Sequence, residues 1–214
     1  MQHKENNRGQ ADTNMYQITR CRNCHRAIID LDRMESVFKE FFEQTDFTNK
    51  QLARLGSTRA MPHHIFRVAI AGCPNSCSQP QIKDFALQGQ AVPVVGEGCT
   101  DCGRCVAACP DQAISLAEQG PHIDRSLCLN CGKCAQSCPT GAIATGNIGY
   151  RVLRGGKLGR RPQLAQEVCS LTDEQGVLQW LQQTIDLLHR EGQPGERLGT
   201  LLARIEKNDE KHST

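Results

Sequence analysis

The sequence predicts an α+β (α/β) chain interrupted by a compact cysteine-rich insert, and three observations carry that prediction. An amphipathic helical pattern is followed by a β-branched run. A four-cysteine run then appears twice, 29 residues apart, and after it the strand and helix patterns resume. The first 18 residues read as a disordered tail, polar and without periodicity over 1–15. "CHRAIIDLDRMESVFKEFFEQ" places Ile28, Leu31, Met34, Phe38, Phe41 and Phe42 at helical spacing. "HIFRVAIAG" is too short and too β-branched for a helix, and Gly72 closes it, so it reads as a buried strand. "DFALQGQAVPVVG" gives a further strand and exit loop. "SLAEQGPHIDRS" reads as a short hairpin around Glu118, Gln119 and Gly120, and "IGYRVLRGGKLGRRP" as a strand running into a basic, glycine-rich loop. Thr172 with Gln175 forms a capping box that opens a helix bearing Val177, Leu178, Leu181, Ile185 and Leu188 on one face. Gly192 and Pro194 end it, "GERLGTLLARIEK" forms a last helix, and 209–214 reads as a solvated tail. The expected division is one domain over 19–95 and 146–208, opened to hold an insert over 96–145.

Within the insert, "CTDCGRCVAACPDQAI" (99–114) and "CLNCGKCAQSCPTGAI" (128–143) share half their positions. Each is C-x2-C-x2-C-x3-C-P, the run by which bacterial ferredoxins hold two [4Fe–4S] clusters, the fourth cysteine of each run serving the other cluster. That rule gives cluster I Cys99, Cys102, Cys105 and Cys138, and cluster II Cys128, Cys131, Cys134 and Cys109. Pro110 and Pro139 turn the chain and remove an amide donor; Gly103 and Gly132 let backbone come close to sulfide. Zinc would call for four tetrahedral ligands from two knuckles, not two four-cysteine runs ending in proline.

Thirteen cysteines leave five over. Cys169 stands alone in an apolar context and reads as a small core residue. Cys21 with Cys24, and Cys73 with Cys77, are either unrelated packing thiols or the ligands of a third cubane, with Gly72 and Pro74 shaping a turn that places Cys73 and Cys77 on one side.

"GCPNSCSQPQIKD" resembles the second cysteine motif of the nitrite/sulfite reductase family, a C-x3-C with an asparagine inside. "GYRVLRGGKLGRRPQLA" and "GERLGTLLARI" resemble the same family, above all its anaerobic and dissimilatory-type sulfite reductase members, which carry a ferredoxin inserted at this place. The resemblance covers roughly 19–206. It implies half of a nitrite/sulfite reductase-like domain, a third [4Fe–4S] cluster on Cys21, Cys24, Cys73 and Cys77, and siroheme bridged through Cys77. Asn75, Lys157, Arg160 and Arg161 are then candidates for siroheme carboxylates or substrate anion; a solvated basic loop is the equal alternative for "GGKLGRRP". The first pair departs from the family pattern, being C-x2-C where C-x5-C is usual. Ile18 stands at the position that would complete the longer spacing, so Cys21 would ligate from a shortened loop. Upstream of Cys21 only twenty residues precede, and the family's N-terminal half, with much of the siroheme pocket, is expected to be absent.

The expected function is therefore an iron–sulfur electron-transfer protein or subunit, relaying electrons from the ferredoxin clusters to the third. One alternative is a siroheme-dependent sulfite or nitrite reductase component, completed by a partner subunit or a second copy. Another is a docking module carrying a ferredoxin for a different oxidoreductase. All imply a redox partner protein, as donor, acceptor or both, and admit a homo- or hetero-oligomer. His25, His63 and His64 read as surface residues. A net charge of +2 and a pI near 8.0 give no electrostatic reason for nucleic acid or an anionic membrane. No apolar run is long enough to span a bilayer, and with no apolar leader in "MQHKENNRGQADTN" the expected location is the cytoplasm. C-x2-C runs without an export signal point to metal rather than disulfides.

Overall fold

The computed structural model describes residues 14–56 and 59–212. Its strands are β1 (Tyr16–Arg20), β2 (Phe66–Ala71), β3 (Phe85–Val95), β4 (Ile114–Ala117), β5 (Gly120–Ile123), β6 (Ile143–Arg154) and β7 (Gln166–Thr172). The helices are α1 (Leu31–Gln44), α2 (Phe47–Leu55), α3 (Arg104–Ala108), α4 (Lys133–Ser137), α5 (Glu174–Glu191) and α6 (Leu198–His212). A five-stranded mixed sheet runs β1-β2-β3-β6-β7, its first three strands parallel and the last two antiparallel to their neighbours. This is the α/β class expected from the sequence.

α1 forms where the apolar spacing places it, with Leu31, Met34, Phe38 and Phe42 all buried. Asp30 caps it by accepting the Arg33 amide at 2.9 Å. Ile28, assigned to this helix from its spacing, lies before the cap; its amide bonds the Gly72 carbonyl at 2.8 Å instead. α2 was not legible, because Thr48, Asn49 and Lys50 hide the spacing of Phe47 and Leu55, its buried anchors. Tyr16 stacks on Phe42 with ring centroids 4.2 Å apart, and Phe47 and Phe66 close the aromatic centre of the core. Burial of each such side chain stabilises the fold by about 1.5–3 kcal/mol.

Three expectations shift at the edges. β1 begins at Tyr16, inside the expected tail, because its ladder comes from β2, register Tyr16↔Phe66 through Arg20↔Ile70; residues 1–13 of that tail lie outside the described residues. α6 continues through 209–212 rather than stopping at a tail, as a run of Glu, Lys and Asp without Gly or Pro offers no stop signal. Thr172 is the last residue of β7, so the cap of α5 falls one residue later, Asp173 accepting the Gly176 amide at 2.8 Å.

β3 and β6 are the longest strands, paired from Phe85↔Arg154 out to Val95↔Ile143. The cysteine repeat joins their far ends, and the β4–β5 hairpin forms around residues 118–119 as expected. Its small core is Ile114, Ile123, Ile143, Cys105 and Cys134. Each repeat turns through a glycine at φ near +70°, Gly103 and Gly132, into a five-residue helix, so the internal repeat in sequence is a repeat in structure.

Candidate metal centres

β1 and β2 are parallel neighbours, so they end at the same edge of the sheet and release their loops side by side. Cys21 and Cys24 follow β1; Cys73 and Cys77 follow β2. The Cys21 amide donates to the Ile70 carbonyl at 3.1 Å, holding the shortened first loop against the second. All four cysteines line one cavity of about 370 Å³, together with Arg20, Arg22 and Gly72. Cys24 and Cys77 are exposed at its mouth, Cys21 and Cys73 half-buried. Burial pushes the Cys73 thiol up, and the nearby Cys21, Cys24 and Cys77 add to it.

The second loop is built by left-handed residues at Ser76 and Gln79. Ser76 N–H donates to the Cys73 carbonyl at 3.2 Å, and the Gln88 side-chain amide donates to Ser76 Oγ at 2.5 Å, tying the loop to β3. Asn75 Nδ2 donates to Cys77 Sγ at 3.1 Å. Arg20 anchors the first loop to α1 through Asp32 at 2.7 Å and Glu35 at 2.5 Å.

Among the described residues no three His, Cys, Asp or Glu side chains converge on a point that would hold a single ion. Four thiols around a cavity of this size, with an amide donor on one sulfur and arginines on the rim, suit a polynuclear iron–sulfur group. Thiolates are the ligands such clusters take, and donors to sulfur with positive side chains offset their charge.

In the insert, Cys99, Cys102, Cys105 and Cys138 line one tight cavity with Pro121 and Ile143, so the fourth cysteine of the second run sits with the first three of the first. Cys134 is buried; burial pushes its thiol up to about 11, with Cys131 and Cys128 as the contributing neighbours. Cys109 and Cys128 pack on the same small core. Cys138 is lowered to about 7 by the Ile143 amide and the Thr140 hydroxyl. Ala113 N–H donates to Cys109 Sγ at 3.3 Å and Ile143 N–H to Cys138 Sγ at 3.4 Å, amides aimed at sulfur in both repeats.

The basic loop lies elsewhere. Lys157 Nζ donates to Thr200 Oγ1 at 2.7 Å, and Lys157 pairs with Gln163 across the loop. Arg160 and Arg161 are exposed. Lys157 faces a separate cavity of about 250 Å³ with Ile82 and Leu164, which none of the four thiols lines. Of the four residues expected beside a siroheme, Asn75 is hydrogen-bonded to Cys77, and Lys157, Arg160 and Arg161 do not line the four-thiol cavity. Arg20, Arg22 and Arg26 were missed; their signal was the arginines flanking Cys21 and Cys24. His64 is buried rather than at the surface as expected, its Nδ1 accepting the Met61 amide at 3.2 Å, and His63 packs on its ring. Cys169 is half-buried, its thiol directed at the Leu171 carbonyl.

Residues 17–207 match the nitrite and sulphite reductase 4Fe-4S domain. The chain belongs to this family. A curated relative, the coenzyme F420-dependent sulfite reductase of Methanocaldococcus jannaschii, is 39% identical over 139 residues, 64% of this chain. The chain spans 20% of that relative's length. Among solved structures, dissimilatory sulfite reductase I aligns over 65% of this chain and 40% of its own, with 21% identity and a TM-score of 0.49. The NirA protein of Mycobacterium tuberculosis aligns over 90% of this chain and 26% of its own, with 15% identity and a TM-score of 0.46. Membership of the nitrite and sulphite reductase 4Fe-4S domain family makes this an iron–sulfur chain. Among the described residues no helix is long and apolar enough to cross a membrane.

Proposed function

We propose that this chain is an iron–sulfur electron-transfer component of the nitrite/sulfite reductase family. Residues 96–145 act as a two-cluster ferredoxin insert, and a third cluster sits on the remaining residues of the family domain. The observation that carries the reading is the convergence of Cys21, Cys24, Cys73 and Cys77 from two parallel strand ends onto one cavity. The ligands are Cys99, Cys102, Cys105 and Cys138 for one insert cluster, and Cys109, Cys128, Cys131 and Cys134 for the other. Bound [4Fe–4S] groups supply one-electron chemistry without bond making or breaking. The chain's own residues hold, shield and tune them. Buried Cys105 and Cys134 keep water from the insert's core, and the amides of Ala113 and Ile143 and the side chain of Asn75 donate to cysteine sulfur. All thirteen cysteines are free, which suits a reducing compartment, the cytoplasm. The component works with a redox partner protein, since a chain that only carries electrons needs a donor and an acceptor.

A second reading is favoured by one observation: Cys77 is exposed beside Arg22 at the cavity mouth. There it is open to a siroheme completed by a partner subunit or a second copy, which would make the chain part of a sulfite or nitrite reductase. Iron content, an optical spectrum and acid–acetone extraction of anaerobically purified protein decide between them. About twelve irons and no tetrapyrrole is the expected result. Extractable siroheme beside twelve cluster irons would favour the second reading. About eight irons would remove the third cluster, and Cys77→Ser should lower a count of twelve to about eight.

A further inference from the structure

The insert does not hang freely from the ends of β3 and β6. Ala91, within β3, donates its amide to the Asn130 carbonyl at 2.7 Å and bridges in parallel to Cys131. A Cβ on Gly132 would stand 3.0 Å from that of Ala91, so the segment that carries Cys131 lies directly on the strand. Arg125 adds a bond to the Pro93 carbonyl at 2.8 Å. Two residues back along β3, Gly89 packs on the carbonyl of Gly72, the residue before Cys73. A run of backbone, one hydrogen bond and one close packing contact therefore leads from Cys131 through Ala91 and Gly89 to Gly72 and Cys73.

A second feature agrees. A cavity of about 180 Å³ is lined on one wall by Cys73, Asn75 and Arg26, and on the other by Pro110, Cys131 and Lys133. Cys131 of one insert set and Cys73 of the four-thiol group thus line a common cavity. Cys99, Cys102, Cys105 and Cys138 line a different cavity, closed by the β4–β5 hairpin, and Cys102 is exposed there. The two pseudo-equivalent cysteine sets are unequal in position, and nothing in the repeat itself distinguishes them.

From this asymmetry we propose that the insert has a fixed polarity, resting on the electron-transfer reading above. The set Cys109, Cys128, Cys131 and Cys134 is the inner, coupling set, seated by Ala91 and Gly132 beside Cys73. The set Cys99, Cys102, Cys105 and Cys138 is the outer, receiving set, exposed at Cys102. Clusters held by the two sets would carry one electron at a time from a one-electron donor, which is thereby oxidised, through the outer set to the inner one, with no proton or bond involved. Ala91 is a positioning residue: it offers no ligand to a cluster but sets how closely the Cys131 segment approaches β3.

The test is magnetic. In the fully reduced chain, spins at neighbouring sites split each other's electron paramagnetic resonance signals, and the effect falls steeply with separation. The signal of the third site should be split in the parent protein. That splitting should survive Cys99→Ala with Cys102→Ala and vanish in Cys128→Ala with Cys131→Ala, each double variant losing about four of twelve irons. The reverse pattern, or splitting that survives both, would overturn the polarity while leaving the third cluster in place. A parent with about eight irons and no third signal would overturn the underlying reading and this one with it. Should either double variant fail to fold, Cys102→Ser and Cys131→Ser tag the outer and inner signals by shifting them. The splitting shared with the third site should then belong to the signal moved by Cys131→Ser. Ala91→Leu, which wedges the Cys131 segment off β3, should shrink the splitting with all irons retained; an unchanged splitting would refute the role given to Ala91.

Discussion

Gly89→Ala probes the seam between the insert strand and the four-thiol cavity with a single methyl. A Cβ at position 89 would stand 2.5 Å from the Gly72 carbonyl oxygen and 3.1 Å from Ile29 Cγ1. To reach an ordinary contact of 3.4 Å the carbonyl must retreat by about 0.9 Å, and because it is backbone no rotamer change relieves it. That carbonyl also accepts the Ile28 amide at 2.8 Å, which fixes the loop carrying Cys24. Overpacking of this kind costs about 1–3 kcal/mol, and losing the hydrogen bond adds about 1 kcal/mol, so the expected loss is about 2–4 kcal/mol. The displacement moves Gly72, and with it Cys73, while the insert's own core is untouched. Anaerobic urea unfolding should show a lower midpoint at unchanged slope, and iron analysis should show loss of about four irons of twelve. A variant within about 0.5 kcal/mol of the parent that keeps all its iron would refute both the close packing of β3 on Gly72 and the dependence of the third site on it.

Arg197→Met should cost about 3 kcal/mol at pH 7.5, because Asp84, its side chain 3% exposed, would keep only the Arg67 amide at 2.9 Å as partner. Burial already pushes the Asp84 carboxyl up, against the pull of Arg197. The folded chain therefore holds that proton more tightly than the unfolded one, and this contribution to stability grows as pH falls from neutral toward the usual carboxylate range. Urea midpoints at pH 7.5 and 5.5 should show a smaller loss from Arg197→Met at the lower pH, because the buried Asp84 carboxyl, its affinity for a proton already raised by burial, depends less on a cation as pH falls. Asn75→Ala should lower the midpoint potential of the third site by about 40 mV, the equivalent of about 1 kcal/mol for one electron, since a donor to Cys77 Sγ favours the more negative, reduced state; a potentiometric titration reads it. Asp30→Ala should cost about 1 kcal/mol through loss of the α1 cap, seen in the same unfolding assay with iron unchanged. Cys169→Ser should leave both iron content and spectrum as in the parent.

Local signals made much of this chain legible. The C-x2-C-x2-C-x3-C-P runs suggest a grouping of the insert's eight cysteines because the first three ligands of each set lie a few residues apart along the chain. Of that grouping, Cys138 lines a cavity with Cys99, Cys102 and Cys105. α1 and α5 were visible because their buried positions repeat at helical spacing. β1 and β7 were not, because short, partly exposed edge strands take their order from neighbours far away in sequence.

The site was only half readable for the same reason. Sequence alone left Cys21 and Cys24 as an irregular pair with no certain relation to Cys73 and Cys77; the parallel pairing of β1 and β2, some fifty residues apart, brings the four thiols onto one cavity. Lys157, Arg160 and Arg161 carry a charge pattern that suits an anion, yet the Lys157–Gln163 turn and the Thr200 contact hold Lys157 at another cavity. Which cysteine set of the repeat faces inward is likewise absent from the repeat, whose halves are nearly alike. Chemistry set by neighbours in the chain is written in the sequence. Chemistry set by which strand lies beside which, and by how closely Ala91 and Gly89 let other backbone approach, exists only once the sheet has formed.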